Sequence, residues 1–181
     1  MMTSSLASEG KTTTISNIAT IMTEQDKKIL IIDLDLRKPA VHKQFNLSNN
    51  TGLTDLLLKK DDYKNYTKQV YPKLDVITSG KVPANPSEIV NSKALQDVIK
   101  ELSFHYDYIF IDAPPIIAVS DPITIAKFSD AVILTIAYSN TEKELAKKAI
   151  DSLRSVNANI IGTILNKVPI TKENKYYYSY Y

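Results

Sequence analysis

The segment Ser8-Glu9-Gly10-Lys11-Thr12 constrains this chain more than any other stretch, because it stands where a helical pattern begins. Ile15, Ile18, Ala19 and Met22 recur behind it at three- and four-residue spacing, which predicts a helix from Gly10–Thr12 to about Glu24. A loop of this kind gathers backbone N–H groups and a helix N-terminus around anionic oxygens. In the general pattern G-x-x-x-x-G-K-[ST] the lysine reaches the β- and γ-phosphates of a nucleotide and the hydroxyl binds Mg²⁺. Those roles fall on Lys11 and Thr12. Ser5 stands where the pattern has its first glycine, so the match is incomplete, and read alone the segment also suits a chance cap before a helix.

The rest of the chain alternates short apolar runs with helical patterns, which predicts an α/β fold with a mostly parallel sheet. Strands are expected at Ile29–Asp33, Leu74–Thr78, Tyr108–Asp112, Ala131–Ala137 and Ile160–Leu165. Their β-branched content and lack of alternation suit strands covered on both faces. Helices are expected at Leu53–Leu58, at Ser92–Phe104 with Ser92 as N-cap, and at Asp121–Phe128 with Asp121 capping and Pro122 in the first turn. A fourth, Thr141–Val156, turns Leu145, Ala149, Ser152 and Val156 inward. Pro83, Asn85 and Pro86 mark a loop that launches a helical turn at Ser87 and Glu88.

Two of the strands end in acids. Ile31-Ile32-Asp33-Leu34-Asp35-Leu36-Arg37 closes on two carboxylates and a guanidinium, and Ile109-Phe110-Ile111-Asp112-Ala113-Pro114-Pro115 on one carboxylate. Ligands of parallel sheets sit outside the carboxyl ends of the strands. Lys11 with Thr12, Asp33 with Asp35, and Asp112 would then share one crevice, supplying a cation for phosphates and oxygens for a hard metal. Any one aspartate could be a turn residue; three in this order behind the lysine loop point to a magnesium nucleotide.

Composition removes other classes. With 22 Lys+Arg against 20 Asp+Glu the net charge is +2, which does not make a strongly basic nucleic-acid binder. Lys143, Lys147, Lys148 and Arg154 form a basic helix face without stacking aromatics, so no nucleic acid is expected. Cysteine is absent, and no apolar run approaches the roughly 20 residues of a membrane span. The start of the chain lacks the pattern of a secretory signal, so the protein is expected to be cytosolic, or held at a membrane by a partner. Five of the eleven tyrosines lie in the last six residues, Tyr176, Tyr177, Tyr178, Tyr180 and Tyr181, in a segment without aliphatic residues that is expected to be a flexible tail.

Taken together, S-E-G-K-T, I-I-D-L-D-L-R-K-P and I-F-I-D-A-P-P resemble the Walker A, A′ and B motifs of the bacterial tyrosine kinases that govern capsule and exopolysaccharide synthesis. Gly80-Lys81-Val82-Pro83-Ala84-Asn85-Pro86-Ser87-Glu88 resembles that family's G-x-x-P-x-N-P-S-E segment. The resemblance runs from Thr3 to Tyr181 and is nearest to the split form, a separate kinase docked on a membrane activator. It implies a P-loop NTPase three-layer sandwich, with a kinase domain over residues 1–170 and a tyrosine-rich tail over 171–181. It also implies ATP and Mg²⁺ as cofactors. Ser8, Glu9, Gly10, Lys11, Thr12 and Thr13 would hold the phosphates, and Thr12, Asp35 and Asp112 the metal. Lys11, Asp33, Asp35 and Asp112 would be catalytic, with Asp33 or Asp35 as base. Arg37 would steady the phosphates or a neighbouring subunit. Asn166 would read the base, or simply terminate its strand. The tail tyrosines would be phosphoacceptors in trans. The partners implied are further copies of the chain and a transmembrane activator, or polysaccharide co-polymerase, at the inner face of the membrane.

Chains of that family begin well before the lysine loop, with a central strand and a helix carrying a Glu/Arg motif. Only Met1–Ser5 precede the loop here, so the expectation is an N-terminally truncated domain whose leading strand is nearly absent. Two rival readings remain at this point. A Min/Par-type ATPase switch would carry a lysine where this chain has Leu6, and would lack the tyrosine cluster. The other is a non-catalytic scaffold fragment that binds nucleotide, or merely a membrane partner, which the short N-terminus keeps open.

Overall fold

The computed structural model describes residues 1–138 and 140–169. Its sheet has seven strands: β1 (Met2–Ser4), β2 (Ile29–Asp33), β3 (Thr67–Tyr71), β4 (Leu74–Ile77), β5 (Tyr108–Asp112), β6 (Val132–Ala137) and β7 (Ile160–Asn166). They lie in the order β3-β4-β2-β5-β1-β6-β7, all parallel except the β3–β4 pair. The helices are α1 (Lys11–Met22), α2 (Val41–Gln44), α3 (Leu53–Lys59), α4 (Pro86–Val90), α5 (Lys93–Leu102), α6 (Asp121–Ala126) and α7 (Lys143–Arg154).

Strand β2 explains why the architecture has three layers. All five of its residues are buried. Ile29 and Ile31 pack with Ala19 of α1 and Val41 of α2, while Leu30 and Ile32 pack with Leu53, Leu56, Leu95 and Leu102 of α3 and α5. Successive strand side chains point to opposite faces, so a continuous apolar run requires a helical layer on each side. A third cluster joins Val132 and Leu134 of β6 to Ala126 of α6 and to Ala149 and Leu153 of α7. Each buried Val, Ile or Leu among them contributes about 1.5–3 kcal/mol relative to exposure.

The expected strands are present to within a residue or two at their ends, and Ser92 Oγ accepts from Leu95 N at 3.2 Å as the N-cap of α5. Besides the short helix α2, which no sequence pattern predicted, four features differ. The leading strand is present rather than nearly absent. Its three residues are buried and held from both sides, Met2 opposite Asp112 and Ile133, Thr3 opposite Leu134, Ser4 opposite Thr135. The segment after β5 extends the grip: Ala113 N donates to Met2 O, Ile116 N to Ser4 O, and Thr3 Oγ1 to Pro114 O at 2.7 Å. Strand β3 was not anticipated, because Thr67-Lys68-Gln69-Val70-Tyr71 is polar. As an edge strand it needs only the antiparallel partner β4. In α6 the cap position falls on Ser120, and Asp121 turns its carboxylate elsewhere. In α7 the buried residues are Ala149 and Leu153; Ser152 instead donates to Lys148 O.

Candidate active site

The loop between β1 and α1 contains two left-handed residues, Ser8 (φ 64°) and Gly10 (φ 91°). A Cβ on Gly10 would lie 2.0 Å from Asn166 Nδ2, so this glycine answers both a conformational and a spatial demand. Ser5 does not share that demand. It is absent from the positive-φ set, and its buried Oγ has no hydrogen-bond partner among the described residues.

The ends of β6 and β7 hold the loop from behind. Glu9 Oε2 accepts from Leu6 N at 2.8 Å, and Oε1 accepts from Ala137 N and from the Thr141 hydroxyl. Asn166 Nδ2 donates to Glu9 O at 2.9 Å, and Lys167 Nζ to Ser8 O at 2.6 Å. The Glu9 carboxylate thus braces the loop rather than facing a ligand.

In front of the loop three strand ends converge. Asp112 is the register partner of Asp33 in β2 and of Met2 in β1. Lys11 Nζ lies 3.0 Å from Asp35 Oδ2 and 3.3 Å from Asp112 Oδ1, and Thr12 Oγ1 donates to Asp112 Oδ2 at 2.6 Å. Burial pushes the Asp112 carboxyl above its ordinary range, opposed in part by the Lys11 charge and the Thr12 hydrogen bond. For Lys11, burial works to lower the pKa, but the charges of Asp112 and Asp35 outweigh it and hold the ammonium above its ordinary value.

Asp33 sits differently. It is fully buried, its Oδ1 accepts from Asp35 N at 3.2 Å, and its Oδ2 accepts from Ala40 N and Val41 N at 3.1 and 3.0 Å. Burial and the Asp112 charge push its carboxyl up to about 7. It lies beneath the loop that carries Asp35 and Arg37, tying that loop to the start of α2.

The cleft so formed has a volume of ≈ 590 Å³, within the range of sites that take a small-molecule ligand. Lys11, Arg37, Lys38 and Lys167 line it against the single carboxylate of Asp35, with Ser8, Gly10, Thr12 and Thr13 at its floor and Pro114, Pro115, Ala118 and Val119 as an apolar wall. Four cations suit a polyphosphate. Among the described residues no three His, Cys, Asp or Glu side chains gather as a metal cage. The Thr12 hydroxyl with Asp35 and Asp112 is instead the sparse oxygen set that suits Mg²⁺ completed by phosphate and water.

Residues 8–167 match the family described as AAA domain. Tyrosine-protein kinase YwqD of Bacillus subtilis is 41% identical over 98% of this chain and 76% of its own length. CapB of Staphylococcus aureus is 38% identical over 99% and 79%. The chain belongs to the bacterial tyrosine-protein kinases. The crystal structure of the chimerical protein CapA2B2 superposes on this kinase with a TM-score of 0.89 and 36% identity, covering 93% of this chain and 75% of the other.

Within the kinase, the structure gathers Ser8, Gly10, Lys11, Thr12, Thr13, Asp35 and Arg37 at the cleft and places Asp112 directly under Lys11. Asn166 is turned to the loop: its Nδ2 serves Glu9 O and its Oδ1 accepts from Lys167 N at 2.8 Å. Lys38 and Lys167 were missed as cleft residues, although each directly follows a residue that was singled out. The tyrosines from Tyr176 to Tyr181 lie outside the described residues.

Proposed function

We propose that this kinase transfers the γ-phosphate of ATP to the tyrosines of its own C-terminal cluster on a neighbouring copy, and that this modification regulates capsular or exopolysaccharide synthesis. One observation carries the reading: Lys11 and Thr12 meet Asp35 and Asp112 within hydrogen-bonding distance in a cation-lined cleft. Phosphoryl transfer asks for positioning and charge neutralisation more than for covalent chemistry. Lys11 and its neighbouring cations neutralise the phosphates. Thr12, Asp35 and Asp112 would hold Mg²⁺, which would supply neutralisation of charge on the phosphoryl oxygens. Asp35, facing the cleft while Asp33 is committed to backbone N–H groups, accepts the tyrosine proton. A phenol with pKa near 10 releases that proton late in the reaction.

Residues 1–170 form the catalytic domain in this reading and 171–181 the acceptor tail. Clustered acceptors raise their local concentration at a neighbour's site. Five phosphates add roughly −7 to −10 of charge near neutral pH, enough to reverse contacts made by a chain of net charge +2. The motif resemblance supports a transmembrane activator that recruits the kinase to the inner face of the membrane. No helix of the described residues is long and apolar enough to cross a membrane.

Intact mass after incubation with ATP and Mg²⁺ tests the reading. Wild type gains phosphate units and Lys11→Met gains none. When Lys11→Met is mixed with an active chain ending at residue 175, phosphate appears on the Lys11→Met protein. Nucleotide hydrolysis without added mass would instead identify a switch ATPase, and absence of nucleotide binding a scaffold.

A further inference from the structure

Three segments distant in sequence close a hydrogen-bonded triangle beside the cleft. Arg37 Nε donates to Asp121 Oδ2 at 2.9 Å, Arg37 Nη2 donates to Ser87 Oγ at 2.8 Å, and Ser87 Oγ donates to Asp121 Oδ1 at 2.7 Å. Both carboxylate oxygens of Asp121 are thereby used, and the Ser87 hydroxyl both gives and accepts. Asp121 is 3% exposed, whereas the Arg37 side chain is 39% exposed.

The two partners are fixed at their source. Ser87 directly follows Pro86 in the first turn of α4, and Asp121 directly precedes Pro122 at the start of α6. Proline in a first turn pre-sets the backbone, so both groups are presented from rigid helix starts. This gives the Asn85-Pro86-Ser87-Glu88 segment a task beside the site, although Ser87 and Asp121 do not line the cleft and Arg37 does.

A guanidinium has five N–H donors in a fixed fork. Two are engaged in the triangle. The remaining three have no protein acceptor among the described residues, on a side chain two positions beyond Asp35. Charge-assisted bonds of this geometry lock a long side chain that would otherwise sample many rotamers.

We propose that Ser87 and Asp121 are positioning residues, which aim the unused N–H groups of Arg37 at the phosphoryl group as it passes to the acceptor tyrosine. The inference rests on the kinase reading above. Arg37 gives up no proton in this role; it supplies charge and donors, and their value depends on being held in place before the reaction.

The test is a double-mutant cycle on tyrosine phosphorylation together with one spectroscopic readout. Asp121→Asn and Ser87→Ala lower kcat, the former by about tenfold, with the KM for ATP changed by less than about twofold. Added to Arg37→Ala, Asp121→Asn costs nothing further, because its effect passes through the arginine. Arg37→Lys does not restore the rate. In NMR the Arg37 Nε–H resonance, assigned by its absence from Arg37→Lys, exchanges slowly with solvent in wild type and is lost or fast in Asp121→Asn. Ser87→Ala provides the milder perturbation should Asp121→Asn fold poorly. A full additional rate loss on the Arg37→Ala background, or an Nε–H resonance indifferent to Asp121, overturns the proposal. A wild type that incorporates no phosphate overturns the kinase reading instead, and the Nε–H measurement still decides the positioning.

Discussion

Lys11 Nζ and Asp35 Oδ2 stand 3.0 Å apart, and their side chains are only 10% and 5% exposed. The ammonium is therefore held in the cleft by buried carboxylates. Lys11→Met removes that compensation from Asp35 and Asp112 together. Phosphoryl transfer is expected to fall by at least about 10²-fold, the scale of losing one organised transition-state contact. Unfolding free energy is expected to drop by about 3 kcal/mol at pH 7 and by less at pH 5, because burial already pushes the stranded Asp112 carboxyl toward its protonated form. Urea titrations at the two pH values measure this, and equal losses at both would count against the electrostatic explanation.

Asp33 gives a pH signature of its own. Its folded pKa is raised to about 7 by burial and by Asp112, against an ordinary value of 3.8. Between these values the native state binds a proton that the unfolded chain has released, so this group's contribution to stability is present at low pH and is lost as pH rises through about 7. Asp33→Asn cannot ionise. The difference in melting temperature, variant minus wild type, is expected to rise from pH 5 to pH 8; a flat difference would contradict the assignment.

Gly10 allows a steric test of the loop. Alanine there meets a φ of +91° and sets its Cβ 2.0 Å from Asn166 Nδ2. Gly10→Ala is expected to lose about 1–2 kcal/mol of stability and to weaken ADP binding by more than about tenfold. Adding Asn166→Ala relieves the contact but not the backbone strain, so calorimetry should find recovery that is partial. Complete recovery would mean the conformational demand is negligible.

Glu9 is a brace whose removal leaves orphaned donors. Glu9→Ala deprives Leu6 N–H and the Thr141 hydroxyl of their acceptor. The expected cost is about 1–3 kcal/mol, with faster hydrogen exchange at the Leu6 amide while α5 amides stay protected. Unchanged exchange at Leu6 would show that the loop does not depend on this carboxylate.

The sheet was legible because β2 buries both faces and carries an uninterrupted apolar run to Asp33, while β5 and β6 carry similar largely apolar runs with partial burial. Lys11, Thr12, Asp35 and Asp112 were legible as a set for the same reason, since strand ends in a parallel sheet have one destination. Besides β3, Lys38 and Lys167, three features were not. Asp33 has the same chemistry as Asp35 two residues on, and only the fold reveals that backbone N–H groups from Ala40 and Val41 occupy it. Asp121 read as a helix cap because aspartate before proline has that habit, whereas its carboxylate serves an arginine 84 positions away. The β1 strand was discounted for its brevity, yet pairing from both sides and the Ala113–Ile117 segment make three residues sufficient.

That brevity has a mechanical consequence. Within the described sheet, Met2–Ser4 is the strand that joins the four-stranded block β3-β4-β2-β5 to the two-stranded block β6-β7, and the anion-wrapping turn hangs directly from it. Glu9, Asn166 and Lys167 rivet that turn to the smaller block, while Lys11 and Thr12 clasp the larger one. An anion held in the turn would therefore sit across the join, between groups anchored to both plates of the sheet.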